Sequence, residues 1–287
     1  MSVFTEYIYR RVMRLNKNFF LLVVGATGSG KSYSALRLAE VLDPSFNISR
    51  VAFKAREFME IINSVVNSNK DFRGKVILWD EIGTEHSARE FMSITNRMIN
   101  YFFQTCRHLN LIVIMTVPVM SFIDSNSRKL IHSIAETRGT NRRKKTVTLK
   151  VKMLQTNPMT GKEYFKLLRY RKGEKQCKLS SLRVGMPSKV LVDKYEQKKR
   201  EFSAFLSDKI MNQLDKIEGK KPLSPLQLEI YSLIEKGITR QDDIAERLGK
   251  SQQFISKSMA SMRKKGINIA ELSQKALFSK KTNTIGV

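Results

Sequence analysis

The sequence predicts an α/β domain built on a parallel sheet, extended by a β-hairpin and followed by a small all-α domain. Three observations predict it. Continuously apolar runs alternate with helical patterns between Phe19 and Val119, a glycine-rich octet follows the first run, and beyond Pro222 only helical spacing remains. Strands that are apolar throughout have both faces buried, as in a parallel sheet whose crossover helices cover it on two sides.

Residues 1–17 are polar and basic, with Tyr7, Ile8, Val12 and Leu15 near helical spacing. Phe19-Phe-Leu-Leu-Val-Val24 reads as a buried strand, and a helix is expected over Ser34–Leu42, stopped by Asp43-Pro44. Further strands are expected at Ile48–Phe53, Val76–Trp79 and Leu111–Thr116, with helices at Ala55–Val66 and Ser87–His108 between them. The second of these helices has Phe91, Ile94, Met98, Ile99, Phe102 and Phe103 on one side. A short helix over Ser127–Ser133 and a strand over Ile134–Arg138 come next. Thr146–Leu154 and Glu163–Tyr170 alternate apolar with polar residues around Asn157-Pro-Met-Thr-Gly161, a hairpin pattern. A long charged helix spans Ser188 to Glu218, with Gly219-Lys-Lys-Pro222 as a hinge, and the last dozen residues read as frayed. The expected organisation is a core domain over residues 1–187, a helix and linker over 188–222, a helical domain over 223–270 and a tail over 271–287.

Charge narrows the class of partner. The chain has 52 Lys and Arg against 26 Asp and Glu, a formal net charge of +26. Residues 138–200 alone carry 20 Lys or Arg against four Asp or Glu. A surplus of that size favours nucleic acid, because each neutralised phosphate releases counterions. Cys106 and Cys177 fit no metal-ligand spacing, and Cys106 reads as a small core residue. With no signal peptide, the chain is expected to be cytoplasmic, and its apolar runs are too short to span a bilayer.

The octet Gly25-Ala26-Thr27-Gly28-Ser29-Gly30-Lys31-Ser32 satisfies G-x-x-x-x-G-K-[ST] between a strand and a helix. The chemistry needs those types there. Glycines let the backbone turn its N–H groups inward onto a phosphate, and the helix N-terminus adds its positive end. Lys31 is expected at the β- and γ-phosphates of ATP and Ser32 on Mg²⁺. Val76-Ile-Leu-Trp79-Asp80-Glu81 is an apolar strand ending in two acids. Asp80 is expected to hold Mg²⁺ through water, and Glu81 to orient and activate the attacking water. Thr116 ends the strand expected beside this one, where it either approaches the γ-phosphate or caps a turn. A transferring phosphoryl group also needs a cation, with Arg107, Arg128 and Arg138 as candidates.

The second constellation runs from Gln241 to Met259 and has helix-turn-helix spacing. Ala245 lets two helices cross closely and Gly249 supplies the turn, while Ile255 and Met259 pack on Ile244 and Leu248. Ser251 is a good N-cap and is also expected among the DNA-binding residues. Gln252, Gln253, Ser256 and Lys257 are expected on the exposed face, facing double-stranded DNA, with Arg263, Lys264 and Lys265 on its phosphates. Pro225–Ile234 is the support helix.

These residues resemble those of P-loop ATPases of the HerA–FtsK division and of the zonula-occludens-toxin-like group. The likeness rests on Gly25–Ser32 with Trp79-Asp80-Glu81, on Gln104-Thr-Cys-Arg107-His108 before a strand ending Thr116-Val-Pro118, and on Asp124-Ser-Asn-Ser-Arg128. Trp79 to Phe91 is also similar to a WDE-x₅-S-x-R-x-[FW] segment of archaeal and archaeal-virus ATPases. The resemblance implies ATP and Mg²⁺, DNA as substrate, and a homo-oligomer, often a ring. The HerA–FtsK division usually ends the sensor strand in Gln, where this chain has Thr116. Toxin-like members of filamentous phages carry a membrane anchor, for which this sequence has no candidate, so an envelope-bound export role is not expected. The leading expectation is a DNA motor or remodeller. The alternatives are an ATP-switched replication initiator or transposition helper, and a transcription regulator with a structural nucleotide site.

Overall fold

The computed structural model describes residues 2–68, 71–82, 101–102, 106–217, 223–270 and 272. Most of the helix expected over Ser87–His108, the hinge at residues 219–222, and the tail apart from residue 272 lie outside these. So do Gln104 and the segment from Gly83 to Phe91, and the side chains of Cys106 and Arg107 are likewise not described. The chain divides into two compact units, Met1–Phe202 and Ser203–Val287.

The first unit opens with helix α1 (Val3–Tyr9), whose N-cap is Ser2, followed by a π-helical turn over Arg10–Arg14. Strand β1 (Phe19–Val24) leads into α2 (Lys31–Leu42). Strand β2 (Val51–Ala52), helix α3 (Ala55–Val66) and strands β3 (Val76–Trp79) and β4 (Ile112–Val117) follow. After a short helix α4 (Ser125–Lys129) come β5 (Ser133–Asn141) and β6 (Thr146–Thr156). Strands β7 (Glu163–Lys166), β8 (Arg169–Lys172), β9 (Lys175–Lys178) and β10 (Leu182–Val184) precede the long helix α5 (Lys189–Ile217).

The main sheet has the order β10-β6-β5-β1-β4-β3-β2, with β7 paired to β6. Strands β2, β3, β4, β1 and β5 are parallel, and β6 joins β5 antiparallel. The sheet is therefore mainly parallel, with an antiparallel extension through β6. Because β1 and β3 run the same way, with β4 between them, their C-terminal ends lie on one edge. That edge is where open α/β sheets place ligands.

Both faces of β1 are buried, as its unbroken apolar run requires. Phe20 and Leu22 share a core with Phe58 and Ile62 of α3 and with Trp79. Phe19, on the other face, meets the rings of Phe4 and Tyr7 from α1. Each such side chain contributes about 1.5–3 kcal/mol on burial.

Several elements depart from the sequence expectation, each for a local reason. Helix α2 starts at Lys31 rather than Ser34, so Lys31 and Ser32 stand in its first turn. The strand expected over Ile48–Phe53 shrinks to Val51–Ala52. Ahead of it, Asn47 accepts from the Ser49 N–H and starts a 3₁₀ turn over Ile48–Arg50. Helix α4 begins early because Asp124 caps it, accepting from the N–H groups of Asn126 and Ser127. The single strand expected over Glu163–Tyr170 splits into β7 and β8. Leu168 turns inward between them, and β8 pairs with β9 in a separate ribbon.

In the second unit, three helices share one apolar core. They are α6 (Pro225–Glu235), α7 (Gln241–Leu248) and α8 (Gln252–Lys264), and Ile230, Ile234, Ile244, Ile255, Met259 and Met262 are buried among them. Ser224 caps α6 with a capping box to Gln227. No helix among the described residues is long and apolar enough to cross a membrane.

Candidate functional site

The loop from Gly25 to Gly30 links β1 to α2, and Gly30 is the helix N-cap at φ 85°. A Cβ at Gly30 would come within 2.7 Å of the Val147 side chain, so both the left-handed conformation and the close approach of β6 select glycine. The Ser29 hydroxyl is tied to Thr137 Oγ1 of β5 at 2.8 Å. Lys31 folds back over the loop, its Nζ donating to the Ala26 carbonyl at 2.9 Å. Burial lowers the Lys31 pKa, and the nearby carboxylates of Asp80 and Glu81 partly restore it.

At the tip of β3, Asp80 is fully buried. Thr116 on the intervening strand β4 donates to Asp80 Oδ1 at 2.6 Å, and the same hydroxyl accepts from the Glu81 N–H at 2.8 Å. Glu81 has left-handed backbone geometry, φ 54°, which costs about 1–2 kcal/mol for a residue with a Cβ. It is held there by that bond and by the Ile82 N–H on the Thr116 carbonyl at 3.1 Å. Thr116 is itself buried, with its hydroxyl committed to the two acids.

Helix α5 supplies the rest of the site. The Tyr195 hydroxyl donates to Asp80 Oδ2 at 2.5 Å, and Tyr195 lines the cavity together with Ser32. Lys199, one turn on, pairs with Glu81 Oε1 at 2.7 Å. Tyr33 of α2 donates to Glu196 at 2.8 Å. Burial drives the Asp80 carboxyl above the ordinary carboxylate range, against the hydroxyls of Thr116 and Tyr195, which favour the anion. Burial also raises Tyr195, aided by Asp80, and moves Tyr33 to about 12 with help from Glu196. Lys199 is lowered by burial, but the bond and charge of Glu81 outweigh this and leave it raised.

These residues enclose a cavity of about 440 Å³ lined by Thr27, Gly28, Gly30, Lys31, Ser32, Tyr33, Glu81, Pro118, Tyr195, Glu196 and Lys199. The larger cavity, about 610 Å³, lies elsewhere on the unit, between Tyr7, Arg11, His132 and β6–β9. We regard the smaller one as the site because the chemistry-bearing residues converge there. The residues in and behind it fit a magnesium–nucleotide: a hard oxygen at Ser32, the Asp80 carboxylate behind Tyr195, N–H groups at a helix N-terminus, and a buried ammonium.

The structure thus brings Lys31, Ser32, Asp80, Glu81 and Thr116 together. It does not bring Arg128 or Arg138 to the cavity, and the side chain of Arg107, the remaining candidate, lies outside the described residues. Arg128 lies 4.0 Å from Glu163, and Arg138 pairs with Glu136 at 3.0 Å. Tyr195, Glu196 and Lys199 were missed by sequence reasoning, which read their segment as a long charged helix with no role in the site. The available signal was the stripe Leu191, Tyr195, Phe202, buried in a helix whose later apolar residues Ile210, Met211 and Leu214 are exposed.

In the second unit, Gly249 ends α7 at φ 61°, and Ser251 caps α8, accepting from the Phe254 N–H. Gln252, Gln253, Ser256, Lys257 and Arg263 are exposed, while Ile255 and Met259 face the core. Phe254 is also exposed, an apolar ring on the first turn.

A sequence profile of the family described as Zonular occludens toxin (Zot) matches residues 37–171. No curated protein sequence matches. Among solved structures, the chain is similar to the N-terminal domain of zonular occludens toxin from Neisseria meningitidis, at 15% identity over 55% of this chain and 96% of that one, TM-score 0.35. It is also similar to EssC (ATPases 2 and 3) from Geobacillus thermodenitrificans, at 12% identity over 72% of this chain and 45% of that one, TM-score 0.34. The DnaC helicase loader gives 18% identity over 40% and 68%, TM-score 0.25. Over residues 37–171, a stretch that begins beyond the glycine loop and takes in Asp80, Glu81 and Thr116, this chain is similar to the Zot family.

Proposed function

We propose that this chain binds ATP with Mg²⁺, hydrolyses it, and couples turnover to work on double-stranded DNA, as a motor or remodeller. The observation that carries the reading is the convergence of Lys31, Ser32 and Glu81 on one cavity at the C-terminal edge of a parallel sheet, with Asp80 buried directly behind the Tyr195 hydroxyl that helps line it. In this reading the loop N–H groups and Lys31 hold the β- and γ-phosphates, and Ser32 and Asp80 hold Mg²⁺. The metal neutralises charge on the phosphate oxygens. Glu81 orients a water on the γ-phosphorus and accepts its proton. Thr116 fixes both acids through one hydroxyl, so it is a positioning residue.

Support for DNA as partner comes from charge and form. The formal net charge is +26, and Gln252, Gln253, Ser256, Lys257 and Arg263 stand exposed on or beside a capped helix that follows a glycine turn. Helix-turn-helix proteins place such a helix in the major groove. Assembly into a homo-oligomer belongs to the same proposal.

The test is ATP turnover with and without duplex DNA. We expect DNA to raise the rate, and Glu81→Gln to lower it by at least about 100-fold while ATP stays bound. A rate indifferent to DNA would refute the motor reading. A Glu81→Gln variant as active as the parent would refute the assignment of the base.

A further inference from the structure

A transferring phosphoryl group needs a cation to offset its charge, and of the three arginine candidates Arg107 has its side chain outside the described residues. Arg128 and Arg138 are paired with acids outside the cavity. Among the described residues that line it, the cations are Lys31 and Lys199. Lys31 already spans the loop. Lys199 enters from α5, four residues after Tyr195, whose hydroxyl donates to Asp80 Oδ2.

We propose that Lys199 is a catalytic residue of this site, a cation supplied from within the same chain that leaves Glu81 and binds the γ-phosphate once a triphosphate enters. The proposal rests on the reading of the site as an ATP-hydrolysing one. Three observations carry it. Lys199 Nζ lies 2.7 Å from Glu81 Oε1, so it already sits at the carboxylate that must face the attacking water. The two side chains are each about one-third exposed, at 30% and 33%, so the pair opens to the cavity and can exchange partners. The helix that carries Lys199 is anchored one turn earlier by buried Tyr195, so the four-carbon stem swings from a fixed point.

The exchange has a chemical logic. While paired, Glu81 Oε1 is occupied by the Lys199 ammonium at 2.7 Å. An arriving γ-phosphate carries more negative charge than one carboxylate and competes for the ammonium. Transfer of Lys199 to the phosphate takes the ammonium off Glu81 Oε1 at the moment substrate is present. The water oxygen then attacks phosphorus and its proton goes to Glu81. The bond to the β–γ bridging oxygen breaks, its electron pair leaving with ADP, and inorganic phosphate is the other product. Lys199 keeps its proton throughout and offsets charge on the γ-oxygens.

The experiment compares affinities for AMP-PNP and ADP, each with Mg²⁺, in the parent, Lys199→Gln and Lys199→Arg full-length chains. Trp79 fluorescence of each variant confirms a folded first unit. We expect the parent to prefer AMP-PNP, Lys199→Gln to lose about ten-fold or more of that preference with ADP affinity kept, and Lys199→Arg to retain most of it. An unchanged preference, or tighter AMP-PNP binding in Lys199→Gln, would overturn the proposal and leave Lys199 only as a restraint on Glu81. A parent that binds neither nucleotide would overturn the ATPase reading along with it.

Discussion

Replacing Thr116 by valine removes one hydroxyl and disturbs two bonds at once. Asp80 loses a buried donor at 2.6 Å, and the Glu81 N–H loses its acceptor at 2.8 Å. A hydrogen bond to a charged group contributes about 1.5–3 kcal/mol, and a donor left without an acceptor costs about 1–3 kcal/mol. The two losses overlap, since Glu81 can relax from its left-handed backbone and Asp80 can take up a proton, so about 3 kcal/mol is the expected net destabilisation. Thr116→Ser keeps the hydroxyl and gives up a methyl group, which costs about 1 kcal/mol. Trp79 makes the assay specific. It is the sole tryptophan, it is buried, and it stacks on Phe58 with ring centroids 4.6 Å apart, so its fluorescence follows the unit that holds the site. At a urea m-value near 3 kcal/mol/M, Thr116→Val should lower the midpoint by about 1 M and Thr116→Ser by about a third of that. Equal shifts in the two variants would refute the reasoning, because the hydroxyl would then have no role beyond filling space.

Asp80→Asn should make the first unit more stable at neutral pH while weakening nucleotide binding. Burial raises the Asp80 pKa, so its stability contribution is complete below the ordinary value of 3.8 and is lost as pH rises through the higher folded-state value. Urea midpoints measured across pH should therefore fall less steeply with rising pH in Asp80→Asn than in the parent. Gly30→Ala should cost about 2 kcal/mol or more, because φ is 85° and the new methyl meets Val147 at 2.7 Å; Gly28→Ala, with open space around its Cβ, should cost only about 1 kcal/mol. Lys257→Ala should weaken DNA binding across sequences and reduce the salt slope by about one, and an unchanged slope would remove Lys257 from the phosphate contacts.

The parts of this molecule that were legible in its sequence are those governed by local rules. A continuously apolar run has few alternatives to a buried strand, which is why β1, β3 and β4 lie within a residue or so of expectation. The glycine octet fixes its own geometry, and the acids after Trp79 follow from where a strand must end. The antiparallel attachment of β6 to β5 was not legible, because pairing between strands depends on tertiary partners. Nor was the role of α5. Tyr195 and Lys199 look like ordinary members of a charged helix until the fold sets them against Asp80 and Glu81. Thr116 is intermediate: its position at a strand end was visible, but its choice between phosphate and turn depended on Asp80 and Glu81 being within hydrogen-bond distance.

The most direct test of the account is a crystal structure of the chain with Mg²⁺ and AMP-PNP. The account predicts the triphosphate in the Gly25–Ser32 loop, with the metal on Ser32 Oγ and Asp80 beside it through water. A nucleotide bound anywhere else, or an empty loop at saturating nucleotide, would contradict it.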